Sequence, residues 1–319
     1  MMDTIVCLGA AILDMFPSEY GKKLVDVPYF FPAPGGAPAN VAVAGAKLGA
    51  KTAFLGKVGD DIFGHHLAEV FASCGVDVSG MRFDPTACTT MNFHAKPDER
   101  TTEYLFYRKP GADTLMRADD IAIDVLSKCK ILHCDSLNFT HEPTRSTTLQ
   151  VLKSVRRLGG LTSFDVNYRK PFWAKESEFA DQIMEVLPLI DIVKLNDAEL
   201  ALLTGSHDIE RCAWQIIERG PQTVLITLGA EGSWMFCKGH NSFVPSFSVN
   251  AIDTIGCGDA FVAGFLTKYT PGVDEKDASR LADLLKYANA VGALTATKKG
   301  VIPALPTRKD VETFLRAHS

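Results

Sequence analysis

The sequence predicts a three-layer α/β/α fold, in which helices cover both faces of a central, mostly parallel β-sheet with a small β lid beside it. Short apolar segments alternate with helical segments along most of the chain, a pattern typical of parallel strands joined by helices. Of the 319 residues, 46% are hydrophobic and 22% charged, which suffices for the core of one large α/β unit. No linker, repeat or charge block divides residues 1–319, so we expect a single domain.

The strands are predicted from apolar runs of strand length, and the helices from apolar residues at helical spacing. Residues 39–48 and 62–74 are helical segments that stop at Gly49 and Gly75, where glycine commonly ends a helix. The predicted strands are residues 4–8, 52–58, 131–134, 161–164, 190–194 and 223–228. The other predicted helices are residues 144–158, 179–186, 198–203, 212–219 and 260–266.

Two segments, at about residues 12–32 and 88–113, interrupt this alternation. In the second segment, Met91, Phe93 and Ala95 occupy every other position before a polar turn at residues 97–100, and alternation resumes after it. Such a pattern around a tight polar turn predicts a β-hairpin. We expect the two segments to form a small β layer beside the main sheet, which we call the lid.

The composition excludes several classes of function. A net charge of −5 leaves no basic excess for binding a nucleic-acid backbone. No apolar stretch approaches the ~20 residues of a membrane span, and the N-terminus lacks the pattern of a signal peptide. The eight cysteines include no C-x-x-C pair, and no cysteine–histidine cluster has zinc-ligand spacing. We therefore expect a soluble, cytoplasmic protein with reduced thiols.

The densest chemical pattern is D-T-I-G-C-G-D at residues 253–259, directly before the predicted helix at 260–266. Gly256 and Gly258 permit backbone angles at which successive N–H groups converge on an anion at a helix N-terminus. Asp259 is then either a helix-capping carboxylate or a catalytic base beside the anion. The pattern lacks the third glycine of a dinucleotide-binding motif, and the chain contains no P-loop sequence.

Five segments resemble, in the right order, signatures of the phosphofructokinase-B, or ribokinase-like, carbohydrate kinases. The segment at 253–259 resembles their D-T-x-G-x-G-D signature. The other segments are G-G-A-P-A-N-V-A at 35–42, G-K-V-G-D-D-I-F-G at 56–64, K-L-N-D-A-E at 194–199 and T-L-G-A-E-G at 227–232. The resemblance implies a ribokinase-like fold and ATP-dependent phosphorylation of a small sugar, with ATP and Mg²⁺ as cofactors. Related proteins also suggest a homodimer formed through the lid.

The resemblance assigns Asp259 as the base that takes the proton from the attacking sugar hydroxyl, which is worth roughly 10²–10⁴ in rate. The backbone N–H groups just before it would stabilise the transferring phosphoryl group. The residues of this anion hole are Gly256, Cys257, Gly258 and Asp259.

The resemblance also implies two cation sites. Asn196 and Glu199 would orient Mg²⁺ largely through its water molecules, although their spacing alone fits a solvated helix start equally well. Asp253 and the loop at 297–300 match the position where family members often hold a monovalent cation, here K⁺.

Further residues are implied to bind the two substrates. Those for the sugar are Asp14, Gly35, Gly36, Asn40, Arg108, Asn167, Arg169 and Asp259. Those for the nucleotide are Asn196, Thr227, Gly229, Gly232, Gly256, Gly258 and Asn289. Asn40 could instead cap its helix, Asn289 could be a buried core amide, and Arg108 could be a surface charge at a strand end.

The segments F-Y-R-K-P-G-A-D at 106–113 and F-D-V-N-Y-R-K-P-F-W at 164–173 resemble fructokinase blocks and imply fructose as the acceptor. Arg108 and Arg169 together would also suit a carboxylate, so a 2-keto-3-deoxygluconate kinase is the alternative, followed by a ribokinase or nucleoside kinase. Asp113, close to Arg108, favours a neutral polyol. A non-catalytic sugar or nucleotide sensor is an alternative of a different class, but we would expect it to lose Asp259 or the glycines.

Overall fold

The computed structural model describes residues 3–98, 101–237, 239–270 and 278–318, and these contain thirteen strands. The strands are β1 Thr4–Leu8, β2 Ile12–Pro17, β3 Phe30–Gly35, β4 Thr52–Gly59, β5 Met81–Asp84, β6 Met91–Ala95, β7 Glu103–Tyr107, β8 Cys129–Asp135, β9 Leu161–Asp165, β10 Ile192–Asn196, β11 Thr223–Thr227, β12 Gly232–Cys237 and β13 His240–Pro245. Nine of them form the main sheet, in the order β13-β12-β11-β10-β9-β8-β1-β4-β5. The seven strands from β11 to β5 are parallel, and β12 and β13 are added antiparallel at one edge.

Ten α-helices in the described ranges cover the two faces of this sheet. They are α1 Ala37–Lys47, α2 Ile62–Ser73, α3 Ile123–Leu126, α4 Thr144–Arg157, α5 Glu176–Val186, α6 Asp197–Thr204, α7 Ile209–Ile217, α8 Cys257–Lys268, α9 Ala278–Ala296 and α10 Arg308–Ala317. Helices α1, α2, α8, α9 and α10 contribute to the core on one face, and α3 to α7 to the core on the other. The predicted three-layer α/β/α fold is confirmed. Among the helices described, none is both long and apolar enough to cross a bilayer.

The lid is a separate four-stranded sheet in the order β3-β2-β6-β7. Strands β6 and β7 form the predicted antiparallel hairpin, although residues 99 and 100 of its turn lie outside the described residues. Because side chains alternate between the faces of a strand, Tyr104 and Phe106 face the cleft described below, and Leu105 and Tyr107 point away from it.

The carboxylate of Asp61 fastens the lid to the main body. Its Oδ1 accepts the N–H groups of Phe63 and Gly64, which caps α2, and also the hydroxyl of Thr89 at 2.8 Å. Its Oδ2 accepts the N–H of Thr89 at 2.8 Å. Thr89 lies two residues before β6, so one half-buried carboxylate links a helix of the main body to the beginning of a lid strand.

Candidate active site

A cleft opens where the carboxyl ends of the parallel strands meet the lid. It contains a cavity of about 370 Å³, the lid cavity, lined by residues from β2, α1, β6, β7, β8, β9, β10 and the start of α8. A second cavity of about 700 Å³, the edge cavity, lies towards β11, β12 and α9. The residues that line both cavities are Lys194, Asn196, Thr254 and Gly258. The two cavities therefore meet at the N-terminus of α8.

A glycine turn precedes the N-terminus of α8. Gly256 precedes the helix with a φ of 81°, and a Cβ atom there would lie 2.6 Å from Cγ1 of Val301, so only glycine fits. No side chain in the described residues caps α8. The N–H groups of its first turn thus lie beside the junction of the cavities without a capping acceptor.

Cys257 is the first residue of α8 and lines the edge cavity. Its Sγ lies 3.9 Å from the carbonyl oxygen of Asp253. Burial raises the pKa of the Cys257 thiol to about 12, so the group remains protonated at neutral pH. Cys257 is therefore suited to supply a backbone N–H at this turn and unsuited to act as a nucleophile.

Asp259 lies in the first turn of α8 and lines the lid cavity. Its side chain does not cap the helix; Oδ2 instead accepts a hydrogen bond from Nδ2 of Asn40 at 2.8 Å. Burial raises the pKa of Asp259 to about 7, the bond from Asn40 opposes this rise, and the charge of Asp165 adds to it. A carboxylate with a pKa near neutrality can accept a proton from a bound hydroxyl.

Asn40 lies within α1, which begins after Gly36, so the alternative that it caps this helix is wrong. The reason is that the helix starts three residues earlier, after a glycine that can adopt a φ of 105°. While Nδ2 of Asn40 binds Asp259, its buried Oδ1 has no partner in the described residues. Asn40 therefore offers an acceptor to a ligand beside the carboxylate.

Asp14 and Gly36 line another wall of the lid cavity, and Gly35 packs against Asp14 because β2 pairs with β3. A Cβ atom on Gly35 would collide with Oδ2 of Asp14, and one on Gly36 would collide with the carbonyl oxygen of Ala10. Oδ1 of Asp14 accepts a hydrogen bond from Nδ2 of Asn92 at 2.8 Å. Burial raises the pKa of Asp14 to about 6, against the effect of that bond.

The polar residues that line the lid cavity without a role in the sequence analysis include Asn92, His94 and Asp135. Oδ1 of Asn92, Nε2 of His94 and Oδ1 of Asp135 are buried without a partner in the described residues. Such atoms are rare in folded proteins, so their grouping around one cavity indicates a polar ligand that completes their bonds. Burial lowers the pKa of His94 to about 4 and raises that of Asp135 to about 6, so the ring of His94 is neutral at pH 7.

Asn167 lines the same cavity and holds Asp135. Its Nδ2 donates to Oδ2 of Asp135 at 3.0 Å. Asn167 has a φ of 39°, a region that few residues other than glycine and asparagine adopt. The strained backbone directs the amide at the carboxylate, and strain of this kind is common at binding sites.

The two arginines predicted for the sugar lie in different environments. Arg169 is exposed and lines the lid cavity. Arg108 is buried: Nε and Nη2 bind Oδ2 of Asp113 at 2.7 and 2.6 Å, and Nη1 donates to the hydroxyl of Thr140 at 2.9 Å. Arg108 is not among the described residues that line the cavity. The expectation that Arg108 and Arg169 act together on a ligand carboxylate is therefore wrong, as is the surface-charge alternative, because Asp113 binds Arg108 in a buried ion pair.

Asn196 and Glu199 form a capping box at the start of α6. Oδ1 of Asn196 accepts the N–H of Glu199, and Oε2 of Glu199 accepts the N–H of Asn196, both at 2.8 Å. Oε1 of Glu199 accepts the N–H of Tyr168 at 2.8 Å. Glu199 is buried at the lid cavity, so the solvated-helix alternative is wrong, and burial raises its pKa.

This donor set fits a magnesium ion that keeps its water shell. The described residues contain no group of three or more histidine, cysteine, aspartate or glutamate side chains able to enclose a metal. Mg²⁺ commonly retains several waters and needs only one or two carboxylates together with phosphate oxygens. Glu199, whose two oxygens already accept backbone N–H groups, can still accept a hydrogen bond from a metal-bound water.

The edge cavity has a mostly apolar wall, as small-molecule sites commonly do. The predicted nucleotide residues that line it include Thr227, Gly229, Gly232 and Asn289. The side chain of Asn289 accepts the hydroxyl of Ser233 at 2.9 Å and donates to the carbonyl oxygen of Val244 at 3.0 Å. Asn289 thus holds α9 to β12 and β13, as in the core-amide alternative, while its surface forms part of the cavity wall.

Asp253 connects the turn before α8 to the loop at 297–300. Its Oδ1 accepts the N–H of Ile255 at 3.1 Å, and its Oδ2 accepts the N–H of Gly300 at 3.2 Å. Since backbone donors engage both oxygens, a monovalent cation here would depend chiefly on carbonyl oxygens. The K⁺ site remains a prediction.

Known proteins resemble this chain over nearly its whole length. The sequence profile described as pfkB family carbohydrate kinase matches residues 2–308. "Probable fructokinase-4" of Arabidopsis thaliana is 40% identical over 319 residues, covering 98% of this chain and 97% of that protein. The crystal structure of a fructokinase from Xylella fastidiosa with bound ATP has a TM-score of 0.91 and 31% identity, covering 100% and 99% of the two chains. A fructokinase double mutant from Vibrio cholerae O395, with fructose, ADP and potassium ion bound, has a TM-score of 0.87 and 33% identity over 98% of both chains.

Proposed function

We propose that this chain, which belongs to the pfkB family of carbohydrate kinases, is an ATP-dependent fructokinase with Asp259 as its general base. The observation that carries the proposal is the position of Asp259. Its half-buried carboxylate and the uncapped first turn of α8 lie together where the lid cavity meets the edge cavity. A sugar in the first cavity and a nucleotide in the second would bring a hydroxyl group and the γ-phosphate to this point.

The mechanism follows from these positions. The oxygen of the sugar hydroxyl would attack the γ-phosphorus of ATP, and its proton would pass to the Asp259 carboxylate. The bond between the γ-phosphorus and the bridging oxygen would break, and ADP would leave with that electron pair. The first-turn N–H groups, from Gly256 to Asp259, would stabilise the charge on the phosphoryl oxygens. Mg²⁺, held through water by Glu199, would neutralise phosphate charge.

The lid cavity favours a neutral sugar over a sugar acid. Asp14 and Asp135 present carboxyl oxygens that can accept sugar hydroxyls, and both would repel a carboxylate. Asn92 and His94 add unpartnered atoms suited to further hydroxyls. The names of the similar fructokinases support fructose in particular. The second candidate, 2-keto-3-deoxygluconate, is favoured by the cationic groups at the same cavity, chiefly the exposed guanidinium of Arg169.

The test is a comparison of ADP release with fructose, 2-keto-3-deoxygluconate and ribose, each with saturating Mg·ATP. We expect fructose to give the highest kcat/KM, by at least about tenfold, since a site built for particular hydroxyls rejects ligands that leave its polar atoms unpaired. Phosphorylation of the keto acid alone would contradict the substrate and leave the phosphoryl-transfer mechanism in place. No ADP release with any acceptor would favour the non-catalytic sensor.

The rate should depend on pH through the base. Since burial raises the pKa of Asp259 to about 7, the group is mostly protonated below that pH and cannot accept the hydroxyl proton. We expect kcat/KM for the sugar to rise about tenfold per pH unit below roughly pH 7 and to level off above it. The negative phosphates of bound ATP would shift this rising part of the profile to higher pH. Initial rates at saturating Mg·ATP test it, and a level profile from about pH 5.5 to 8 would contradict the assignment of the base.

Three finer expectations accompany this function. We propose that residues 1–319 form one domain, and that two copies associate through the lid. Support for the dimer comes from exposed apolar side chains of the lid, among them Tyr29, Phe31, Leu105 and Tyr107. We further propose a cytoplasmic location, which the eight free cysteines suit.

A further inference from the structure

Lys194 occupies a position that the mechanism above does not use. It is the third residue of β10, and its side chain is one-tenth exposed. It lines both cavities, and its Nζ lies 3.2 Å from the point where a Cβ atom of Gly258 would be. The ammonium group is thus next to the anion-binding turn of α8, on the path between the two cavities.

The hydrogen bonds of Lys194 leave room for a ligand. Its Nζ contacts Oδ1 and Oδ2 of Asp165 at 3.2 and 3.1 Å, and no other acceptor among the described residues bonds to it. An ammonium group has three N–H donors, so at least one remains for a ligand. Asp165 holds the group in place from the side of the sheet.

The charged side chains around Lys194 are mostly negative, so an anionic ligand can bind at this point only if a cation offsets their charge. Five carboxylates share the lid cavity with it: Asp14, Asp135, Asp165, Glu199 and Asp259. A phosphoryl group arriving at the junction would approach these acids in a poorly hydrated site, where repulsion is strong. Of the described residues lining both cavities, Lys194 is the one that carries a positive charge. The chain has no P-loop lysine to supply this charge.

We propose that Lys194 is a further catalytic residue, whose ammonium group contacts the phosphoryl group as it passes from nucleotide to sugar. This inference rests on the proposed phosphoryl-transfer function. Asp165 is the positioning residue that fixes the ammonium group. The glycine at 258 leaves space for it, since a larger side chain there would press on Nζ.

The competing explanation is that Lys194 only neutralises Asp165, and three variants separate the two: Lys194→Met, Asp165→Asn and the double variant. We expect Lys194→Met to lower kcat by about 10²–10³, the effect of losing one donor to a developing charge. The double variant removes both members of the buried ion pair and leaves no uncompensated charge. It should therefore fold even if the single variant does not. We expect its kcat to be as low as that of Lys194→Met. If kcat of the double variant instead came within about threefold of kcat for Asp165→Asn, the proposal would be overturned.

A binding measurement tests the contact without turnover. For the double variant relative to the wild type, calorimetry should show at least about tenfold weaker binding of a non-hydrolysable ATP analogue and at most about threefold weaker binding of ADP. Equal losses for both nucleotides would also overturn the role of Lys194. A wild type that releases no ADP with any sugar would instead contradict the proposed function, so the two failures are distinguishable.

Discussion

Replacing Asp259 with asparagine is expected to lower kcat by roughly 10²–10⁴, or about 3–5 kcal/mol of transition-state stabilisation, with little change in the affinity for ADP. The amide keeps the shape of the side chain and can still accept the hydrogen bond from Asn40. It cannot take a proton from a sugar hydroxyl at neutral pH. Steady-state ADP release gives kcat, and calorimetric titration with ADP checks that the edge cavity is intact.

The same substitution should raise the Tm above pH 7. The pKa of Asp259 is raised from its ordinary value of 3.8 to about 7, so between these values the folded protein binds this proton more tightly than the unfolded chain does. The contribution of Asp259 to the free energy of unfolding is therefore largest below about pH 4, and it is lost as the pH rises to about 7. Asparagine removes the buried charge that causes this loss. A lower Tm for the variant would mean that the carboxylate has a structural role.

Asp135→Asn is the matched control, because it also removes a carboxylate that lines the lid cavity. Asp135 would bind a sugar hydroxyl and take no proton, so we expect a higher KM for the sugar and a smaller loss in kcat than for Asp259→Asn. If Asp259→Asn retained kcat within about threefold of the wild type, the assignment of the base would be wrong.

The sequence predicts the glycine turn at the start of α8 well, because the determinants of that turn are local. A glycine at 256 and an acid in the first turn of α8 specify a backbone turn within a few residues. The fold class is equally predictable, since the parallel strands from β1 to β11 are short apolar runs separated by helices. The hairpin of β12 and β13 is missed because Trp234, Met235 and Phe236 are consecutive large apolar residues and give no alternation.

The lid side of the site is harder to predict, because it depends on which face of a strand meets the cavity. The alternation of apolar residues in β6 identifies the hairpin. The polar residues Asn92 and His94, on the other face of the same strand, were the sequence signal that could have predicted a wall of the cavity. Asp135 ends β8, a position at the carboxyl edge of the sheet where ligands commonly bind. Tertiary packing decides whether Arg108 points into the cavity or pairs with Asp113, and the spacing of residues in the sequence does not specify that packing.

Replacing Arg108 with methionine is expected to lower the free energy of unfolding by about 3–5 kcal/mol, since it leaves the carboxylate of Asp113 buried without its partner. The side chains of Arg108 and Asp113 are only 4% and 2% exposed, so water cannot replace the lost bonds. Oδ1 of Asp113 also accepts the hydroxyl of Thr90, directly before β6, which places the ion pair at the base of the lid. Thermal unfolding should show a Tm lower by roughly 5–10 °C.

Arg169→Met is the matched control, because it removes the same charged group from an exposed position at the lid cavity. It should leave the Tm nearly unchanged and alter KM for the sugar, whereas Arg108→Met should lower the Tm. The double variant with Asp113→Asn should regain much of the lost stability, because it removes the uncompensated charge. If Arg108→Met instead raised KM for the sugar at an unaltered Tm, Arg108 would contact the substrate after all, and the lid would have to rearrange on binding to expose it.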